Sequence, residues 1–219
     1  CQAIIKKAVV ERLKAKYNIP WFDETGSLYQ IQFSIMKNNV SLFIDTSGRG
    51  LHKRGYRPAA NAAPLKETLA AALCSLAHLR HYHTLYDPMC GSGTIIIEGA
   101  LMALNIAPGI QRRFTAETWS QCPPEVWRKE RTAARENMRH DIEFHAYGSD
   151  IDEAALEIAR ENAKRAGVEN FVTFKKADVR DFKPVTEKAT VICNPPYGER
   201  LLDAESAHEI YKILGKRFT

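Results

Sequence analysis

The sequence predicts an α/β fold, a doubly wound parallel sheet preceded by the end of a smaller α+β module, and three observations predict it. From about residue 83 onward, short apolar runs alternate with segments of helical periodicity, the pattern of parallel strands joined by right-handed crossovers. A glycine-rich turn follows the first of these runs, and acidic residues close the second and third. In such sheets ligands bind across the carboxyl ends of the strands, so these turns are the place to look for chemistry.

The elements follow in order. Ala3, Ile4, Ala8, Val9 and Leu13 recur at helical spacing with basic residues between them, which predicts an amphipathic helix over about 1–16. Residues 28–36 and 40–44 alternate in polarity and meet at Lys37-Asn38-Asn39, which predicts a hairpin. A helix and a hairpin enclose too little apolar surface for a core, so residues 1–47 are expected to be the end of a domain that begins upstream. Residues 48–63 form a glycine-rich basic linker, and residues 64–219 the main domain. After Pro64 a helix is expected to run to about Leu79, with Leu65, Leu69, Ala72, Leu73 and Leu76 on one face. Strands are then expected at 83–87, 143–148, 171–175 and 189–193, and helices at 94–104, 123–139, 152–166 and 206–217. The sheet is expected to stop short, after its fourth strand.

Composition narrows the function. With 219 residues, 45% of them hydrophobic, the chain can fill one full domain and part of another. No apolar run approaches the ~20 residues of a membrane span, and the first residues lack a signal-peptide pattern, so a cytoplasmic protein is expected. The net charge of +5 is unevenly placed. Residues 1–80 carry 12 Lys+Arg against 5 Asp+Glu, net +7, which leaves 19 against 21, net −2, for the remainder. That asymmetry fits a first third that grips a polyanion and a main domain that binds a small molecule. Within the basic stretch, Arg49, His52, Lys53, Arg54 and Arg57 are the candidate phosphate contacts. The five cysteines show no chelating or redox spacing and read as free thiols, while His78, His81 and His83 read as surface residues, so no metal is expected.

The loop Asp87-Pro88-Met89-Cys90-Gly91-Ser92-Gly93-Thr94 leads from the first strand into an apolar helix. Its glycines allow ligand atoms close to the backbone, and the helix start offers unpaired N–H groups. Asp87, Pro88, Cys90, Gly91, Gly93 and Thr94 are therefore candidates for binding a nucleotide-like cofactor. The second strand ends in Gly148-Ser149-Asp150-Ile151-Asp152, where Asp150 is placed to accept from both hydroxyls of an adenosine ribose, Ile151 follows it, and Asp152 caps the next helix. After the third strand, Asp178 and Val179 are placed for an adenine. A dinucleotide is disfavoured, because its fingerprint needs a third glycine and an acidic residue about 20 positions on.

The fourth strand ends in Ile192-Cys193-Asn194-Pro195-Pro196-Tyr197-Gly198. A base amino nitrogen is a poor nucleophile because its lone pair is delocalised into the ring. Two fixed acceptors, the Asn194 side-chain oxygen and the Pro195 carbonyl, can hold both N–H bonds and favour the charge that develops on the nitrogen. Pro196 stiffens the turn, and Tyr197 can stack on the base. Asn194, Pro195, Pro196 and Tyr197 are thus the candidate catalytic residues, with Asn194 also facing the cofactor.

In this order the motifs resemble those of the class I S-adenosylmethionine (SAM) methyltransferases that act on base amino groups. More closely, the chain resembles the bacterial THUMP-domain family of 23S ribosomal RNA guanine-N2 methyltransferases, also called N6-adenine-specific DNA methylases. The resemblance runs through Asp45 to Arg57, Ala63-Pro64-Leu65-Lys66-Glu67, the Asp87 loop, Ala107-Pro108-Gly109, Gly148 to Asp152, and Asn194 to Leu201. It implies a Rossmann-like sheet, SAM as cofactor, RNA as partner, guanine N2 as target, and a THUMP-type RNA-binding region ending at about residue 47. It also implies that residues 105–140, with Trp119 and Trp127, are an insert typical of the family. Because the sulfonium of SAM is itself a good leaving group, the transfer calls for no metal. Two other readings stay open: N6-methylation of adenine in DNA, and a non-catalytic RNA-binding protein with a methyltransferase fold.

Overall fold

The computed structural model describes residues 2–23, 25–57, 65–186, 189–195 and 204–217. Helix α1 (Gln2–Tyr17) precedes an antiparallel hairpin of β1 (Gln30–Met36) and β2 (Asn39–Asp45). Lys37 and Asn38 both take positive φ, 48° and 62°, which gives the two-residue turn whose twist matches the strands and puts Met36 opposite Asn39. No residue of α1 is buried, and the hairpin is largely exposed, in line with a helix and hairpin too small to enclose a core.

The main body is a four-stranded parallel sheet, β3 (Thr84–Asp87), β4 (His145–Asp150), β5 (Val172–Lys176) and β6 (Ala189–Val191), in the order β5-β4-β3-β6. The chain steps outward from β3 to β4 to β5, then returns to lay β6 on the other side of β3. This reversal creates a switch point at the carboxyl end of β3. Observed strand limits lie within two residues of those expected.

Helix α2 (Glu67–Leu76) packs on α3 (Thr94–Ala103), which is buried along almost its whole length. Helices α4 (Pro124–Glu136), α5 (Glu153–Ala166) and α6 (Ala204–Arg217) complete the set, and none of the described helices is long and apolar enough to cross a membrane. Asp152 caps α5 by accepting from the Ala154 N–H at 2.9 Å, and Gly167 ends it in the left-handed region. The core is Leu85, Ile96, Ile97, Leu156 and Val168, all fully buried between the sheet and helices α3 and α5.

Gly148 shows how tightly the sheet face is filled: a Cβ there would sit 2.7 Å from Phe174 Cδ1 and 2.9 Å from Cys90 Sγ. Gly148→Ala is expected to cost about 1–3 kcal/mol in urea unfolding, the usual penalty of overpacking. Phe174→Leu in the same chain should return part of that loss, and a strictly additive double variant would contradict the packing described.

Candidate cofactor cleft

The loop after β3 is shaped by two left-handed residues. Gly91 has φ 51° and Gly93, the residue before α3, φ 78°. A Cβ at Gly93 would fall 2.9 Å from Phe174, whereas among the described residues no atom lies within 4 Å of the corresponding point at Gly91. One glycine is thus required by packing, whereas a side chain at the other would meet open space among the described residues.

Asp150 fastens this loop to the end of β4. Its Oδ2 accepts from the Gly91 N–H at 2.8 Å and its Oδ1 from the Asp152 N–H at 3.0 Å. Each carboxylate oxygen has two lone-pair directions, so the side chain keeps acceptor capacity after both bonds are made. The Cys90 N–H donates to the Ser149 carbonyl at 2.9 Å and ties the same two segments a second time.

A cleft of about 220 Å³ opens over the carboxyl ends of β3, β4 and β5. Five expected cofactor residues line it: Pro88, Asp150, Ile151, Asp178 and Val179. Ile151, 66% exposed, gives the cleft an apolar side chain. The remaining wall was not anticipated: Met89, Arg180, and Glu209, Ile210 and Ile213 of α6. The i, i+3 spacing of Ile210 and Ile213 within the expected helix puts them on one helix face, but nothing in it sets that face against this loop.

Asp178 is not idle in this arrangement. Arg180 donates to its carboxylate through Nε at 3.0 Å and Nη2 at 2.6 Å, and through its backbone N–H at 2.8 Å. The Arg180 side chain, then its backbone N–H, holds the Asp178 carboxyl below its usual range.

Three expected cofactor residues support the loop from behind instead of lining the cleft. Asp87, Cys90 and Thr94 are 2%, 7% and 5% exposed. Burial pushes the Asp87 carboxyl up to about 8, against the pull of the Met89 N–H that its Oδ1 accepts at 3.1 Å, and the Asp150 charge adds to the rise. Burial likewise raises the thiols, to about 12 at Cys74 and about 11 at Cys193, and upward at Cys90, so these are protonated packing groups.

The end of β6 arrives beside this site. Tyr86 pairs with Val191, and the Ile192 N–H donates to the Tyr86 carbonyl at 3.0 Å, which extends the pairing beyond the last ladder residue. Asn194 is exposed and Pro195 half-buried two and three residues on, while Pro196 and Tyr197 lie outside the described residues.

The basic linker requires a correction. Of its five expected phosphate contacts, Arg54 and Arg57 are spent inside the protein. Arg57, with a side chain 7% exposed, pairs with Glu67 at 3.0 Å and donates to Thr94 Oγ1 at 2.9 Å. Arg54 pairs with Glu98 at 3.3 Å, and Tyr56 donates to the same carboxylate at 3.1 Å. Burial raises the Glu98 carboxyl, with Arg54 opposing. The signal for this was Glu98 itself, a lone charge in the otherwise apolar helix α3, because a buried carboxylate needs a cation. Arg49 and Lys53 are exposed and His52 is half-buried.

Among the described residues no group of three or more His, Cys, Asp and Glu side chains is placed to hold a metal ion, and His83 instead hydrogen bonds to Thr190 at 3.2 Å.

The raised Asp87 pKa fixes a pH dependence. The folded state retains a proton that the unfolded state has released, so unfolding loses free energy as pH climbs from about 4 through about 8. Thermal unfolding should show the wild type losing stability between pH 5 and 9 more steeply than Asp87→Asn. Parallel curves would mean that Asp87 is ionised in the fold.

Comparisons with known proteins agree with this architecture. Residues 54–219 match the RMKL-like, methyltransferase domain family. The chain is 43% identical over its whole length to a Bacillus subtilis protein named "Putative RNA methyltransferase YpsC", and 40% identical over 97% of its length to the ribosomal RNA large subunit methyltransferase K/L of Aliivibrio salmonicida. It spans 57% and 31% of those two proteins. Among solved structures, a "predicted N6-adenine-specific DNA methylase" from Listeria monocytogenes superposes with a TM-score of 0.92 at 47% identity, and SMU.472, "a putative methyltransferase complexed with SAH", with 0.91 at 39%. Each match covers 99% of this chain, and 57% and 58% of the respective structure. The open glycine, the exposed Ile151 and the spare acceptor capacity of Asp150 fit an adenosyl group, and the expected cofactor is SAM. With its sheet order, its cleft and the match over residues 54–219, the chain belongs to the RMKL-like methyltransferase-domain family.

Proposed function

We propose that this chain carries the cofactor cleft and the target-amine site of a SAM-dependent RNA methyltransferase acting on guanine N2 of large-subunit ribosomal RNA. The observation that carries the proposal is the direct parallel pairing of β6 with β3. It sets Ile192, two residues before Asn194, against Tyr86, one residue before the glycine-rich loop, which supports a target-amine site next to the cofactor cleft. The RNA methyltransferase names of the two curated relatives support RNA as the substrate.

In this reading the bound cofactor supplies an electrophilic methyl carbon on a positively charged sulfur. Asp150 holds the ribose hydroxyls, Ile151 and Val179 flank the adenine, and Asp178 accepts from its amino group once Arg180 yields an oxygen. The Asn194 side-chain oxygen and the Pro195 carbonyl accept the two N–H bonds of the guanine amine and fix its lone pair toward the cleft. As the nitrogen pyramidalises, both acceptors favour the positive charge growing on it, and the surplus proton leaves to water after transfer. Tyr197 stacks on the base, and Pro196 stiffens the turn. Residues 1–47 form the end of a THUMP-type RNA-binding region, joined by the linker 48–63 to the methyltransferase domain 64–219. Arg49, His52 and Lys53 contact phosphate.

Adenine N6 offers the same two N–H bonds, and the name of the Listeria structure favours it as a second reading. Radiolabelled transfer by the full-length protein, followed by digestion to nucleosides, separates the two. N2-methylguanosine from ribosomal RNA is expected, and N6-methyladenine from DNA would replace the first reading with the second. Asn194→Ala should lower kcat by about two to three orders of magnitude, the scale for losing one preorganised polar contact at a reacting centre. A wild-type rate would remove Asn194 from the chemistry.

A further inference from the structure

The hairpin carries an aromatic side chain that its own fold does not use. Strand alternation sorts Ile31, Phe33, Ile35, Val40, Leu42 and Ile44 onto one face, and Gln30, Gln32, Ser34, Ser41, Phe43 and Asp45 onto the other. Met36 and Asn39 complete that second face, where Phe43 is the one aromatic side chain among mostly polar neighbours, and it is 55% exposed. Beside it lies an open surface groove lined by Gln32, Phe43 and Asp45 of the hairpin and by the linker segment from Ser47 to Leu51.

The linker wall is built, not loose. Asp45 Oδ1 accepts from the Ser47 and Gly48 N–H groups at 2.9 and 3.0 Å. Arg112, 7% exposed, reaches from the insert to donate to the carbonyls of Ser47 at 3.1 Å, Gly50 at 3.2 Å, and Arg49. Its guanidinium lies over Phe114, which stacks on Trp127. The main chain of Arg49 is thus fixed while its side chain stays exposed, and Arg49 and Phe43 line the same groove.

We propose that this groove receives an unpaired nucleotide of the RNA substrate. The base stacks on Phe43, Arg49 neutralises its phosphate, and the Gln32–Asp45 pair, joined at 3.0 Å, presents an amide and a carboxylate to the base's polar edge. A stacking ring, an exposed cation and paired amide and acid groups are the complement of a nucleotide, and the net +7 of residues 1–80 favours a polyanion. The inference rests on RNA being the substrate, which the wild-type transfer assay decides separately.

The test is steady-state methyl transfer to ribosomal RNA by the full-length protein and its Phe43 and Arg49 variants. Phe43→Leu keeps the bulk and loses the ring, and should raise KM for RNA roughly tenfold with kcat and KM for SAM unchanged. Phe43→Trp should restore the wild-type value, which a purely packing role would not produce. Arg49→Gln should flatten the logarithmic salt dependence of RNA affinity by about one unit. If the wild type methylates RNA but either Phe43→Leu keeps its KM or Arg49→Gln keeps its slope, the groove is not a nucleotide site. If the wild type methylates no RNA, the functional reading itself fails first.

Discussion

The site depends on one carboxylate bridging two loops. Asp150 sits at the last residue of β4 and accepts the Gly91 N–H from the loop after β3, and the Asp152 N–H from its own turn into α5. That bridge and the Cys90–Ser149 bond together restrain Gly91, whose positive φ only glycine adopts readily. The bridge sets the width of the cleft and leaves acceptor capacity facing it. Beneath it Asp87 is a buried acid kept neutral near pH 7, which spares the site a second negative charge close to Asp150.

Buried charge then fixes residues 54 and 57 of the linker upstream of the sheet. Arg57 and Arg54 descend from the linker to Glu67 and Glu98, while Arg112 rises from the insert to the linker carbonyls. A second seam runs beside it, where Trp119 donates to the Leu28 carbonyl at 2.9 Å and stacks on Tyr29, and the Ala116 N–H donates to Thr46 at 3.0 Å. Removing one partner of the buried Arg57–Glu67 pair strands the other, at about 3–5 kcal/mol, so residues 48–57 are held as a strap and not as a tether. The Arg57–Thr94 bond places that strap directly on the first residue of the helix that follows the glycine-rich loop.

What the sequence revealed follows the range of the interactions. Strand and helix limits, the Asp152 cap, the hairpin turn at Lys37 and Asn38, and the glycine-rich loop are set within a few residues, and all were legible. Arg54 and Arg57 read as phosphate contacts because a basic run looks solvated until its partners are known. Those partners, Glu98 and Glu67, are 44 and 10 residues away and meet them only through the packing of α2 on α3. Arg112 carried no local signal, since its acceptors are backbone carbonyls more than 60 residues earlier. The cleft was half legible for the same reason: its strand-end residues were read from their loops, whereas Ile210 and Ile213 needed the placement of α6.

The central claim is that the bridging carboxylate also holds the cofactor, and calorimetric titration of the protein with SAM tests it most directly. Asp150→Asn keeps the size of the side chain but replaces one acceptor oxygen with a donor. The account predicts at least a tenfold loss of affinity with the fold retained. Wild-type affinity in that variant would contradict it and would place the adenosyl group elsewhere.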